Sequence, residues 1–185
     1  TERKGVARYT VTVHGRAAHA GLDPSAGASA ILELSHVIQA LFALNDPGRG
    51  VTVNVGTIDG GLRPNVVAPE SRAVVDVRTR TSADAARVDA AIRAIQPVTA
   101  GTSLAVEGGV GRPPLEPTPR NTALFETAQA LGSRVDLALE GGLAGGGSDG
   151  STASLYTATL DGLGPVGDGA HAAHEYLEIG PTLDR

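Results

Sequence analysis

The sequence of 185 residues has no cysteine, no methionine and no tryptophan, and its aromatic residues are 3 Tyr and 2 Phe. The lack of cysteine excludes a disulfide framework, a Cys-ligated zinc site and a thiol nucleophile. With so few rings, any core must be aliphatic, and a hydrophobic content of 41% allows one. The apolar runs are too short to span a membrane. A net charge of −5 without a basic cluster argues against nucleic acid as a partner.

The lack of methionine also bears on where the chain comes from. The first residues, Thr1-Glu2-Arg3-Lys4, do not form a signal peptide. We therefore expect the chain to be a piece of a longer protein. The absence of cysteine fits the cytoplasm and the periplasm alike, and we expect the cytoplasm.

Hydrophobic periodicity predicts a β-α-β-β-α-β unit in the first part of the chain. Four segments alternate between apolar and polar residues as half-buried strands do, at residues 5–14, 51–59, 70–80 and 102–108. Between them, Asp23-Pro24 predicts the start of a helix that runs to about Leu44, and Ser82 is the expected cap of a second helix over 83–95. This element order is that of ferredoxin-like domains.

The proline-rich stretch GRPPLEPTPRN marks the expected domain boundary. We predict one domain over residues 5–112 and a second, incomplete one over 113–185. In the second, Asn121 is the expected cap of a helix over 122–131. Short strands are expected near 135–139 and 157–161. This pattern resembles one edge of an α/β domain.

Three short motifs allow two interpretations each. The GGGSDG segment at 145–150 is either an anion site at a helix start or a tight turn capped by Ser148 or the next residue. His171 and His174, in GDGAHAAHEY, are either metal ligands or surface residues. His19, in AAHAG, is either a ligand-binding loop residue or a solvated one.

Four ordered motifs together resemble one enzyme group. They are GRAAHAGLDPSAGASAI, GTIDGGLRPNVVAPESRAVVDVR, GGGSDGSTAS and TLDGLGPVGDGAHAAHEYLEI. The group is the co-catalytic zinc metallopeptidases and amidohydrolases, which include glutamate carboxypeptidase (carboxypeptidase G type), aminoacylase-1, acetylornithine deacetylase and succinyl-diaminopimelate desuccinylase. The glutamate carboxypeptidase branch is the most similar. The resemblance implies an α/β (α+β) chain, in which a ferredoxin-like dimerisation (lid) domain precedes an incomplete α/β metallopeptidase catalytic domain.

The resemblance also implies roles for individual residues. His171 matches the last metal ligand of the group. His19 matches the lid histidine that reaches into the partner subunit's active site and stabilises the oxyanion of the tetrahedral intermediate. The implied substrate-binding residues are Asn65 for a carbonyl or carboxylate, Arg112 as a carboxylate clamp, and the backbone of Gly146, Gly147 and Ser148.

The sequence departs from the group at its metal centre. None of the histidines begins an H-x-D motif, and no Glu-Glu pair occurs. His171 alone cannot hold the two zinc ions of the group, so we expect this chain by itself to be inactive. The first hypothesis is a fragment of a zinc-dependent hydrolase that cleaves an amide bond of a peptide or N-acyl amino acid and forms a homodimer through its lid. The alternatives are a non-catalytic dimerisation module and a natural protein that has lost catalysis.

Overall fold

A computed structural model describes residues 1–170 and 172–184. His171, the predicted metal ligand, lies outside the described residues. The strands are β1 (Glu2–Arg3), β2 (Gly5–His14), β3 (Thr52–Gly60), β4 (Glu70–Thr79), β5 (Ser103–Arg112), β6 (Leu143–Ala144), β7 (Gly167–Asp168) and β8 (Tyr176–Leu177). The α-helices are α1 (Ala30–Phe42), α2 (Ser82–Arg93), α3 (Pro119–Gly132), α4 (Asp149–Ala153) and α5 (Ile179–Asp184).

The main sheet has four strands in the spatial order β3-β4-β2-β5, and all neighbouring pairs are antiparallel. Along the chain, the unit runs β2-α1-β3-β4-α2-β5. Both the element order and the pairing are those of a ferredoxin-like domain. The predicted β-α-β-β-α-β unit is therefore confirmed.

The core lies between one face of this sheet and the two helices α1 and α2. In β2, the alternate residues Ala7, Tyr9, Val11 and Val13 are buried, while the residues between them are at least partly exposed. Helix α1 covers this face with an apolar stripe that includes Val37. Tyr9 is the one aromatic residue of the core cluster among the described residues, so the expectation of an aliphatic core is largely confirmed.

The first helix begins later than predicted. Asp23 does cap a turn, since its side chain accepts the N–H of Ala26, but the turn is a single 3-10 turn over Pro24–Ala26. Gly27 then takes an extended conformation, and a β-carbon at Gly27 would lie 2.8 Å from a methyl group of Val67. The next residue, Ala28, forms a backbone bridge with Arg16, which keeps this stretch extended. Helix α1 starts only after Ser29, which is its cap.

Two other predicted caps are also wrong. Helix α2 is capped by Thr81, and Ser82 is its first residue. Helix α3 is capped by Thr118, with Pro119 at its first position. Asn121 lies inside α3 and is buried, where its side chain donates to the carbonyl of Glu116 and accepts the N–H of Thr159.

Residues 113–184 contain little sheet in the part of the chain that the structure describes. The pairs β1-β6 and β7-β8 each have two residues per strand. The segments at 135–139 and 157–161, predicted as strands, form no ladder here. Both segments contain apolar residues, but in the described structure no neighbouring strand pairs with them. No helix in the described residues is both long enough and apolar enough to cross a bilayer.

Candidate functional site

His19 and Asn65 lie on two loops that contact each other. The first loop follows β2, and the second precedes β4. His19 pairs with Val66 in an isolated β-bridge, and the N–H of Ala20 donates to the carbonyl of Asn65 at 3.0 Å. The side chains of His19 and Asn65 are both exposed. The structure therefore brings together two residues that are far apart in the sequence.

The His19 loop depends on a close backbone approach at its base. Arg16 and Ala28 exchange two backbone hydrogen bonds of 2.9 Å, which close the loop. A β-carbon at Gly15 would lie 2.1 Å from the carbonyl oxygen of Ala28. Only glycine leaves room for this approach, so Gly15 positions the loop that carries His19.

The imidazole of His19 is held by its own loop. Its Nδ1 accepts the backbone N–H of Gly21 at 3.1 Å and that of Leu22 at 3.2 Å. The Leu22 side chain is 82% exposed beside this ring. The sequence interpretation missed these two backbone donors, and the only signal for them was the short AAHAG loop.

A second group of predicted residues surrounds Arg112 at the end of β5. Its guanidinium forms an ion pair of 3.0 Å with Asp149, whose side chain is almost fully exposed. A β-carbon at Gly147 would lie 3.1 Å from Cδ of Arg112, so the glycine backbone packs on the arginine side chain. Arg112 and Gly147 are thus neighbours in the structure. Asp149 is an additional carboxylate that the sequence interpretation did not assign to the arginine.

Ser148 and Gly146 flank this arrangement. The hydroxyl of Ser148 accepts the N–H of Gly150 at 3.1 Å and caps α4. Close by, Asp161 forms a 2.6 Å ion pair with Arg3. Burial by itself would raise the pKa of Asp161, but hydrogen bonds from Ser148 and Arg3 outweigh it and lower the pKa. A β-carbon at Gly146 would meet no heavy atom of the described residues within 4 Å.

The two groups lie at opposite ends of the sheet. In the β2-β5 ladder, Val6 pairs with Arg112 and His14 pairs with Ser103. Eight positions of extended strand separate Val6 from His14, which corresponds to about 26 Å. His19 follows His14 along the chain. A small ligand on Arg112 therefore cannot contact His19 of the same copy.

The described residues do not form a metal centre. No group of three or more His, Asp or Glu side chains within residues 1–170 and 172–184 is arranged to hold an ion. His174 is exposed, His14 pairs with Glu70 at 3.3 Å, and His36 lies on an exposed face of α1. The His, Asp and Glu side chains of the described residues therefore do not fit the two zinc ions of the enzymes that the four motifs resemble.

Comparison with known proteins points to one family. A profile described as "Peptidase dimerisation domain" matches residues 1–99. A probable carboxypeptidase of Uncinocarpus reesii is 31% identical over 129 residues, which cover 61% of this chain and 29% of that protein. A peptidase M20 domain-containing protein of Schizosaccharomyces pombe is 38% identical over 79 residues, which cover 40% of this chain and 20% of that protein. The chain spans about a quarter of the length of the curated relatives it matches.

Solved structures show the same fold. Aminopeptidase PepT from Bacillus cereus superposes with a TM-score of 0.80 at 21% identity, over 99% of this chain and 48% of that one. A tripeptidase from Staphylococcus aureus gives a TM-score of 0.72 at 21% identity, with the same coverage of 99% and 48%. The family profile spans more than half of the 185 residues. The chain therefore belongs to the peptidase dimerisation domain family of the M20 peptidases.

Proposed function

We propose that this chain is part of a metal-dependent hydrolase that cleaves an amide bond of a peptide or N-acyl amino acid. The family assignment supports this reaction class, and so do the curated relatives, several of which are named probable carboxypeptidases. In this proposal, residues 5–112 are the dimerising lid and residues 113–185 belong to the catalytic domain. The metal is zinc, as in the enzymes that the four motifs resemble.

The observation that carries the proposal is the separation between the His19 and Arg112 groups. A single copy cannot place both on one small substrate. In a homodimer with twofold symmetry, the loops of one copy that carry His19 and Asn65 can contact the catalytic domain of the other copy. We propose that His19 and Asn65 of one copy complete the site at Arg112 and Gly147 of the second copy.

The surface around β3 supports such a dimer. Strand β3 is an edge of the sheet, so one of its sides has no neighbouring strand in the described structure. Helix α1 exposes Ile31 and Phe42, which are 49% and 45% accessible. A second copy that adds along this edge and helix would satisfy backbone groups and bury these apolar side chains.

Each proposed residue has a distinct task. The planar guanidinium of Arg112 can bind a substrate carboxylate in a bidentate manner, in place of the Asp149 carboxylate that pairs with it in the structure. The backbone of Gly146, Gly147 and Ser148 faces the same carboxylate. Asn65 offers an amide to the substrate's carbonyl or carboxylate. The ring of His19 stabilises the negative charge that develops on the carbonyl oxygen in the transition state.

The test is a kinetic comparison in the full-length protein that contains this chain. We expect His19→Ala to lower kcat by about 100-fold or more, as loss of an oxyanion donor does. Arg112→Ala should mainly raise KM for substrates with a free carboxylate, because it removes ground-state binding. His36→Ala is the matched control and should leave both constants unchanged. A His19→Ala variant with wild-type kcat would refute the proposal.

A second candidate applies to these 185 residues in isolation. Because the described residues contain no group of three metal-ligating side chains, the isolated chain is expected to act as a dimerisation module. Analytical ultracentrifugation should then show a dimer, and the chain should have no peptidase activity. A content of about two zinc ions per chain, together with turnover, would contradict this candidate.

A further inference from the structure

Two backbone donors occupy one nitrogen of the His19 ring. The N–H groups of Gly21 and Leu22 both donate to Nδ1, at 3.1 and 3.2 Å, and the Leu22 N–H is shared with the His19 carbonyl oxygen at 3.3 Å. A backbone N–H can only donate, so Nδ1 must accept in both contacts. An imidazole nitrogen that accepts a hydrogen bond through its lone pair carries no proton. The ring's proton in the neutral state is therefore restricted to Nε2.

We propose that the backbone of Gly21 and Leu22 fixes His19 as the Nε2–H tautomer, so that the ring serves its site as a hydrogen-bond donor and not as a base. A base would need a free lone pair on the nitrogen that faces the substrate. Here the lone pair is on Nδ1 and is engaged by the loop, while Nε2 carries the proton. Gly21 and Leu22 are thus positioning residues that act through His19.

The geometry leaves the ring one consistent orientation. If the imidazole were rotated by a half turn about the Cβ–Cγ bond, a carbon would replace Nδ1 opposite the two N–H donors, and both hydrogen bonds would be lost. The loop itself is held firmly on both sides of the ring. The N–H of Asp23 donates to the His19 carbonyl at 3.1 Å, and the N–H of Val67 donates to the Ala18 carbonyl at 2.9 Å.

The functional meaning of this tautomer rests on the proposed function, which supplies a substrate carbonyl as the acceptor. Catalytic hydrogen bonds are most effective when the donor is oriented before the charge develops. A ring that had to exchange tautomers or rotate would lose part of this advantage. The assignment also predicts that another group must accept any proton removed during hydrolysis.

The test uses the chain with 15N-labelled histidine. A long-range 1H–15N correlation spectrum at pH 8, where ordinary imidazole rings are neutral, separates protonated from unprotonated ring nitrogens. We expect His19 to show one protonated nitrogen, Nε2, and one unprotonated nitrogen, Nδ1. The exposed ring of His36 is the internal reference and should show averaging between tautomers. A proton on Nδ1 of His19, or the same averaged pattern as His36, would overturn the proposal.

Two variants of the loop refine the test. Leu22→Pro removes one N–H donor and should move the His19 nitrogen signals toward those of His36. Gly21→Ala keeps its N–H, and its new β-carbon would lie 3.7 Å from the His19 ring, so the signals should stay in place. Unchanged signals in Leu22→Pro, with the native circular dichroism spectrum, would argue against the Leu22 contact.

Failure of this proposal is distinguishable from failure of the proposed function. A fixed Nε2–H tautomer in a protein whose His19→Ala variant keeps wild-type kcat refutes only the proposed function. An averaged tautomer with a large loss of activity in His19→Ala refutes only the assignment of Gly21 and Leu22.

Discussion

Glu33 is a buried carboxylate whose replacement should reveal how the loop after α2 is held. It is 1% exposed on α1, and it accepts the N–H of Val98 at 3.1 Å and that of Thr99 at 2.6 Å. Hydrogen bonds to a charged group contribute roughly 1.5–3 kcal/mol each. Glu33→Gln keeps one acceptor oxygen and removes the charge, so we expect a loss of about 2 kcal/mol in the free energy of unfolding at pH 7.

The pH dependence of this loss gives the sharper test. Burial by itself would raise the pKa of Glu33, but hydrogen bonds from Thr99 and Val98 outweigh it, and the pKa is lowered. A carboxylate with a lowered folded-state pKa stabilises the protein above its unfolded-state pKa, near 4.3. This contribution is lost as the pH falls through the folded-state value. The difference between wild type and Glu33→Gln should therefore be full at pH 7 and smaller at pH 3.5.

Urea denaturation followed by circular dichroism at the two pH values measures this difference. Glu107→Gln is the matched control, because Glu107 is exposed on β5 and its replacement should change the free energy of unfolding little at either pH. A Glu33→Gln variant that loses the same stability at pH 7 and pH 3.5 would refute the reasoning, and so would one as stable as wild type at pH 7.

Two further substitutions test other parts of the fold. Asp84 is 3% exposed, and its carboxylate accepts a hydrogen bond from Arg49 Nε at 2.7 Å. Asp84→Ala should therefore lower the free energy of unfolding, measured by urea denaturation, by about 2–4 kcal/mol. An unchanged free energy of unfolding would contradict this. Gly15→Ala would place a β-carbon 2.1 Å from the carbonyl oxygen of Ala28, so it should shift amide signals throughout the His19 loop, whereas Gly21→Ala should shift only those next to residue 21. Equal spectra for the two variants would contradict the close approach at Gly15.

The strands of the main sheet could be predicted from the sequence because their apolar and polar residues alternate. The alternation in residues 5–14 matches Gly5–His14, and that in 70–80 matches Glu70–Thr79 within one residue. The strand predicted at 102–108 extends to Arg112, because the β2-β5 ladder continues to Val6 beyond the apolar run. Pairing with a neighbour thus lengthens a strand past its local pattern.

The helix starts were harder to predict because a capping residue acts over only a few positions. Asp23 has the right side chain and is followed by proline, yet its turn ends at an extended Gly27, and Ala28 then pairs with Arg16. Thr81 and Ser82 are equally good caps in a sequence, and Thr81 is the one whose side chain accepts the N–H of Asp84. Tertiary contacts decide where such a helix begins, and these contacts cannot be read from the local sequence.

The candidate site was predictable residue by residue but not as an arrangement. The motifs pointed to His19, Asn65 and Arg112, and the structure puts the first two together. That Arg112 lies at the other end of the sheet follows only from the β2-β5 register, which a sequence alone does not specify. The ion pair of Arg112 with Asp149 likewise could not be predicted from sequence patterns.

The central claim is that one copy's His19 completes the site at the other copy's Arg112. The most direct measurement mixes two variants of the full-length protein, His19→Ala and Arg112→Ala, after unfolding and refolding together. The assay uses a substrate concentration far below the wild-type KM, where the lower kcat of the first variant and the higher KM of the second both leave little activity. Each mixed dimer then has one site with both wild-type residues. Random pairing makes half of the dimers mixed, so activity should return to about a quarter of the wild-type value. A mixture whose activity stays at the low level of its two components would contradict the shared site.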